Sequence, residues 1–345
     1  MSDESPTCTL LLAPMQEVTT LPFWQVLHPR GGADIYVTEY FRVYETSRLE
    51  EHILASVTAN PTGQPVIAQM IGNHPDYLVR AATQLQAHPI AGIDLNLGCP
   101  SPTVCGKSCG GALLKSPERV REIILRLRDV TEGKLSIKTR VGVDSHKEFQ
   151  DWLPMFASLP IDSFALHGRT VKEKYLSAVH TDEIAQAVRE MPCPVYANGS
   201  VISVDTAQAM LRKTNPAGLM IGRGAIRNPW LFTQIRQALA GEPIERPTLA
   251  DLHEYVCDLY EATGTFGKTV RGKYDENKHV QSMKRFLSYI GAGISDGQFL
   301  YDVRRTSTEV DFMRVCWEHL GNTSLMDAEP EDESRHFMGF RELSS

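Results

Sequence analysis

Three cysteines fall within one short stretch, DLNLGCPSPTVCGKSCGGALL, running from Asp94 to Leu114. Cys99, Cys105 and Cys109 are separated by five and then three residues, whereas zinc sites usually pair their ligands as C-x2–4-C with a second pair elsewhere. No C-x-x-C redox motif is present, so no metal is assigned. Position separates the thiols: Cys99 directly follows an apolar run of strand character, while Cys105 and Cys109 lie further along a glycine-rich loop and receive no chemistry. As a thiolate beside a base, Cys99 would be a nucleophile. As a neutral thiol, with an ordinary pKa of about 8.5, it would be a proton donor. The residues alone leave both open.

Other polar residues stand at the ends of similar apolar runs. In KTR, Lys138 and Arg140 alternate and so face one side of a strand. Two cations there call for an anion or for a ring that acquires negative charge, and a reduced flavin fits that description. YANGS and MIGRG end two later runs. Gly199 and Gly222 let backbone N–H groups approach a ligand, and Arg223 adds a fork for a phosphate, whether of a sugar phosphate or of a flavin. Gln69 offers an amide to a heterocycle edge, and His167 could do the same or touch a phosphate.

Eight strands are predicted to carry these residues: TLLLAPM, DIYVTEY, PVIAQMIG, AGIDLNLG, LSIKTRVG, DSFALHGR, CPVYANGS and AGLMIGRG. Segments of helical period separate most of them, among them PDYLVRAATQLQAH, SPERVREIILRLRDVT and SVDTAQAMLRKT. The alternation predicts an α/β fold, a (β/α)8 TIM barrel, with a doubly wound open sheet as the alternative. In a barrel all eight strand ends meet on one face, which holds the active site, and the loops after strands seven and eight commonly bind phosphate. The expected organisation is a flexible N-terminus (1–8), a barrel (9–242), a linker around Pro243–Pro247, an all-helical domain (247–322) and an acidic, disordered tail (323–345). Within the helical part, 302–320 reads as one helical stretch.

The 345 residues are 42% hydrophobic and 22% charged, with a formal net charge of −7. That charge argues weakly against a nucleic-acid partner, although the acid-rich tail supplies much of it. No apolar run is long enough to span a membrane, and the N-terminus lacks the basic region of a secretory signal. A cytoplasmic, monomeric protein is expected, its seven cysteines free thiols.

Taken in order, LLLAPM, TEYFRV, LNLGCPSPTVCGKSCGGALL, IKTRVG, LHGRT, ANGS and MIGRGAIRNPWL resemble the tRNA-dihydrouridine synthases across residues 9 to about 290. TEYFRV and KHVQSMKRFLSYI look most like the branch that modifies uridine 16. The resemblance implies a barrel holding FMN, NADPH (or NADH) as reductant, and a helical domain gripping tRNA, with no obligate protein partner. It implies hydride addition to C6 of a uracil and protonation of C5 by the cysteine of N-x-G-C-P, which is Cys99. Pro14, Met15, Gln16, Gln69, Lys138, His167, Asn198, Gly199, Ser200, Gly222 and Arg223 are the implied FMN residues. Ser200 departs from the acidic residue frequent there, leaving it a backbone role. Asn96 should help seat uracil or flavin. Expected tRNA contacts are Arg42, Arg140 and Arg169 near the mouth and Lys268, Arg271, Lys273, Lys278, Lys284 and Arg285 on the helical domain, where Lys278, Gln281, Lys284 and Arg285 share roughly one helix face.

Two other functions compete. One is a flavin barrel acting on a free pyrimidine, like the dihydroorotate dehydrogenases. The other is a non-catalytic RNA-binding barrel. The helical domain with its basic span argues against the first. The joint presence of Cys99, Lys138 and Arg223 argues against the second.

Overall fold

The computed structural model describes residues 8–272, 274–330 and 336–344. Eight parallel strands close into a barrel: β1 (Thr9–Leu12), β2 (Ile35–Val37), β3 (Val66–Ile71), β4 (Gly92–Leu97), β5 (Lys134–Arg140), β6 (Ser163–His167), β7 (Val195–Asn198) and β8 (Gly218–Ile221). Each pairs with its sequence neighbour, β1 pairing with β8 through Leu10–Leu219 and β2 with β3 through Tyr36–Val66. The eight predicted strands and the barrel are therefore present, and the open-sheet alternative is not. A two-residue ladder, Phe41–Arg42 against Met70–Ile71, carries the second strand's sequence past a bend at the mouth.

The strand pattern sets which residues face inward. On β4, Ile93, Leu95 and Leu97 join the apolar cluster shared with the outer helices, so Asp94 and Asn96 point inward. On β5 the same alternation turns Leu135 and Ile137 outward and Ser136, Lys138 and Arg140 inward. Leu11, Val37, Ile67, Ala165 and Met220 fill the lower barrel as a separate small core. The barrel is thus plugged below and polar above, and the polar end is the mouth.

The expected helices form with recognisable starts. Pro75 opens Pro75–Leu85, Pro117 opens Pro117–Val130, and Ser203 with Thr206 closes a capping box on Val204–Thr214. Beyond the barrel lie Leu249–Thr269, Glu276–Ile290, Gln298–Arg305 and Glu309–Leu320. The stretch read as one helix over 302–320 is broken: Thr306 is extended, and the Thr308 side chain caps a new helix by accepting from Asp311 N–H. The helical part shares the barrel's core. Val280, Met283 and Leu287 belong to the same apolar cluster as Trp24 and Phe232, and Arg30 bonds Asp258 at 2.6 Å across the boundary.

The tail differs from its expectation. Among its described residues, Met326, Phe337, Phe340 and Leu343 are buried. Leu325 pairs with Thr248, and Arg227 donates to the carbonyls of Asp327 and Ala328 at 3.0 Å each. Acid-rich composition suggested solvation, but the apolar residues interspersed with the acids give the segment an anchoring face. Residues 1–7, within the predicted flexible N-terminus, lie outside the described residues. No helix among the described residues is long and apolar enough to cross a membrane.

Candidate active site

The mouth opens into a cavity of about 580 Å³. Cys99 and Tyr40 line one side, Met15 and Gln16 another, and Gly199, Ser200 and Gly222 the end nearest β7 and β8. Lys138, Arg140, His167 and Arg223 also line it.

Cys99 is held by its backbone. The Asn96 side-chain oxygen accepts from the N–H groups of Gly98 (3.0 Å) and Cys99 (2.9 Å). The Asn96 amide donates to Gln69 at 2.8 Å, Gln69 donates to Asp94 at 2.7 Å, and Ser136 donates to Asp94 at 2.6 Å. A buried polar chain thus runs from the barrel interior to the cysteine loop. Burial is the main cause holding the Asp94 carboxyl up to about 6, against these hydrogen bonds. Gln69 was expected on the cofactor wall. It is fully buried in this chain, its amide oxygen accepting from Asn96 and its amide nitrogen donating to Asp94.

The glycines of the loop have a steric reason. Gly110 has φ +57, and a Cβ there would come 3.0 Å from the Cys99 Cβ. A Cβ on Gly111 would meet Val171 at 2.3 Å, and its N–H donates to the Cys99 carbonyl at 3.1 Å. The chain therefore folds back under Cys99 only because these positions have no side chain. Cys105 and Cys109 turn their sulfurs to different carbonyls, those of Cys99 and Lys107. All three are free thiols, and they do not converge on a shared point. Burial pushes the Cys99 thiol above its ordinary value, while the hydroxyl of adjacent Tyr40 pulls weakly the other way. At neutral pH Cys99 is a thiol, which favours proton donation over nucleophilic attack.

Buried cations crowd the same cavity, Lys138 and Arg140 on the Cys99 side and Arg223 at the β8 end. Burial, then repulsion from Arg140, lowers Lys138 to about 8, and burial with repulsion from Arg223 and Arg140 lowers Arg169 to about 9. His167 is driven well below its ordinary value by burial and by these same cations, so its ring is neutral. Its Nδ1 accepts from Arg169 N–H at 3.2 Å, leaving Nε2 as the donor. Two buried polar atoms beside this region have no protein partner: Nη1 of Arg169 and Oε1 of Gln16. A Cβ on Gly199, φ +125, would lie 3.7 Å from that Nη1, so the missing side chain keeps the approach to it open. A crowd of buried, mutually repelling cations with an orphan donor suits a multiply charged anion, and the orphan acceptor suits a ring N–H.

Several expected contacts have other work. Arg140 donates to the carbonyls of Gly98 (2.8 Å), Thr170 (2.9 Å) and Lys174 (2.9 Å), tying three segments of the mouth together. Arg169 is fully buried and donates to Ser177, Ser200 and Met338, so it is no surface RNA contact, and the Ser200 hydroxyl does have a side-chain role. Lys284 donates to the carbonyls of Arg304 (2.9 Å) and Thr306 (2.6 Å), at the C-terminal end of the helix Gln298–Arg305. Pro14, Asn96 and Asn198 lie on the cavity wall. Arg42 is exposed beside Tyr40, Arg285 pairs with Glu17, and Lys268 lies over the Tyr274 ring at 4.4 Å. Arg271 and Lys278 are exposed, and Lys273 lies outside the described residues.

Some residues of the site carry no distinct signal in the sequence. Tyr175 lies under both Arg223 (4.4 Å) and Arg140 (5.2 Å). Tyr40 falls within TEYFRV, but only its strand-end position could have marked it. A His146–His180–Glu183 group brings its donor atoms within 4.8 Å of one another, His146 from the segment after β5 and His180 and Glu183 from the start of the helix Thr181–Glu190 after β6.

Fold and site together define a (β/α)8 barrel enzyme with a half-buried thiol and a group of buried cations on the wall of one cavity. The chain belongs to the dihydrouridine synthase family, whose model, described as Dihydrouridine synthase (Dus), matches residues 11–289. It is 32% identical to "tRNA-dihydrouridine synthase B" of Pseudomonas putida, over 79% of this chain and 81% of that protein. It is also 32% identical to "tRNA-dihydrouridine(16) synthase" of Ralstonia nicotianae, over 90% of this chain and 95% of that protein. Among solved structures, histamine dehydrogenase from Rhizobium sp. 4-9 is similar in fold, with a TM-score of 0.55 at 12% identity, over 91% of this chain and 62% of that one.

Proposed function

We propose that this protein reduces the C5–C6 double bond of a uridine in tRNA, giving 5,6-dihydrouridine, with FMN as cofactor and NADPH as reductant. The observation that carries the reading is that the Cys99 thiol and the buried cations Lys138, Arg140 and Arg223 line one cavity at the barrel mouth. Family membership supports the reaction, and the match to a dihydrouridine(16) synthase over 90% of the chain supports uridine 16 as the target.

The donor set fits FMN. Arg169, Arg223 and the backbone at Gly199 and Ser200 would hold its phosphate. Lys138 and His167 would face the ring system, with Gln16 accepting from a ring N–H and Pro14, Met15, Asn198 and Gly222 completing the wall. Bound there and reduced, FMN supplies the hydride for C6. The chain's own residues do the rest. Asn96 fixes the Cys99 backbone so that the thiol stands over the cavity. Cys99 gives its proton to C5, and the resulting thiolate is stabilised by the Ser101 backbone N–H, then by the Tyr40 hydroxyl and the Arg140 charge. Proton and hydride reach adjacent carbons from separate donors, so the uracil must enter between them, extruded from an unpaired loop where exposure costs least.

The test is spectroscopic. The purified or FMN-reconstituted protein should show a flavin spectrum that NADPH bleaches. Protein that takes up no flavin would contradict the proposal.

A further inference from the structure

A second cavity of about 650 Å³ lies between the barrel mouth and the helices Leu249–Thr269 and Glu276–Ile290. It shares a wall with the candidate active site: Glu17 and Arg285 line both. Beyond that wall stand four rings, Phe266, Tyr274, His279 and Phe286, two further cations, Arg271 and Lys278, and the Asp275 carboxylate, which accepts from the Lys278 N–H. His279 is buried, bonded to Thr263 at 2.8 Å and set edge-on to Tyr274 at 5.5 Å, so these two rings pack together. The size is within the range of about 300–1,000 Å³ that small-molecule sites occupy. Rings flanked by cations are what a nucleobase and its phosphate recognise, irrespective of sequence.

The shared wall is an ion pair between Arg285 and Glu17, with side chains 47% and 50% exposed. Pairs this exposed contribute little, so an incoming anion displaces the glutamate at small cost. A phosphate offers the arginine the same charge-assisted hydrogen bonds that the carboxylate gives it.

We infer that this cavity receives the unpaired nucleotide adjoining the target uridine, its base among Phe266, Tyr274 and His279 and the linking phosphate at Arg285 in place of Glu17. The inference rests on the reading that the substrate is RNA. It names a subsite within that reading: the enzyme engages two consecutive nucleotides, one in each cavity.

The probe is a stem–loop RNA with the tRNA D-arm sequence, compared with versions carrying an abasic nucleotide on the 5′ or the 3′ side of the target uridine. The FMN-loaded enzyme should bind one of the two abasic RNAs about tenfold or more weakly than the intact one. Ser282→Trp, which fills the cavity from a half-buried helix position, should weaken intact RNA by a similar factor and erase the difference between intact and abasic RNA. Tyr274→Ala, at a more exposed position, should shrink the difference. Equal binding of all three RNAs by the unaltered enzyme would overturn the inference, as would an undiminished difference in Ser282→Trp. A raised KM for NADPH in Ser282→Trp would assign the cavity to the reductant and overturn it too. Enzyme that reduces tRNA yet ignores both neighbours sinks only this subsite. Enzyme that neither binds nor reduces any tRNA sinks the parent reading with it.

Discussion

At the scale of single residues, Cys99 was singled out by its place after the fourth strand, and its burial then favours the acid role that the residues alone left open. Cys99→Ala should keep NADPH-driven flavin reduction and lose tRNA reduction by at least about 100-fold, the lower range for a positioned proton donor. Single-turnover kinetics separate the two half-reactions. Because the acid form is the active one and burial raises its pKa, tRNA reduction should hold with rising pH and fall only above the ordinary thiol value of about 8.5. An alkaline limb below that value would contradict the assignment. Lys138 carries the opposite sign. Its ammonium is lowered to about 8, so near pH 9 much of it is neutral. An anionic ligand favours the charged form, so FMN binding at that pH should take up a proton. Calorimetry in buffers of different ionisation enthalpy should show the uptake, and Lys138→Met should reduce it, leaving the part that Arg169, lowered to about 9, contributes. The residues whose roles the sequence hid are those whose hydrogen bonds span distant segments. Nothing local to Arg140, Lys284 or Gln69 says that their partners are Thr170, Arg304 and Asp94.

At the scale of elements, the strands were legible because a closed parallel barrel demands apolar runs with polar ends, and β4 and β5 also show the inward alternation. The break between Arg305 and Glu309 was hidden because helical period continues across it and only the Thr308 cap resets the chain. The β4 loop owes its shape to Asn96, whose side chain accepts two backbone N–H groups. Asn96→Ala leaves both unpaired in a largely buried place, at about 1–3 kcal/mol each. The expected result is a clear fall in Tm and a loss of tRNA reduction larger than the loss of flavin reduction. Unchanged thermal unfolding would show that the loop is held by something else.

At the scale of the whole molecule, barrel, helices and tail form one packed body, as shown by the shared apolar cluster and by the carbonyls the tail offers to Arg169, Arg223 and Arg227. Composition could not reveal this. Acidic residues set the tail's average, while two phenylalanines, Phe337 and Phe340, both 1% exposed, set its contacts. Truncation after residue 322 removes those rings, worth about 1.5–3 kcal/mol each, and leaves three guanidinium groups without their carbonyls. It should lower Tm and reduce FMN occupancy, and full occupancy in the truncated protein would refute a link between tail and cofactor site. The most direct measurement of the whole account is mass spectrometry of unmodified tRNA after incubation with the FMN-loaded enzyme and NADPH. The prediction is a gain of the mass of two hydrogen atoms at a D-loop uridine, position 16. A flavin-loaded, NADPH-reducible enzyme that leaves every tRNA uridine unchanged would contradict it.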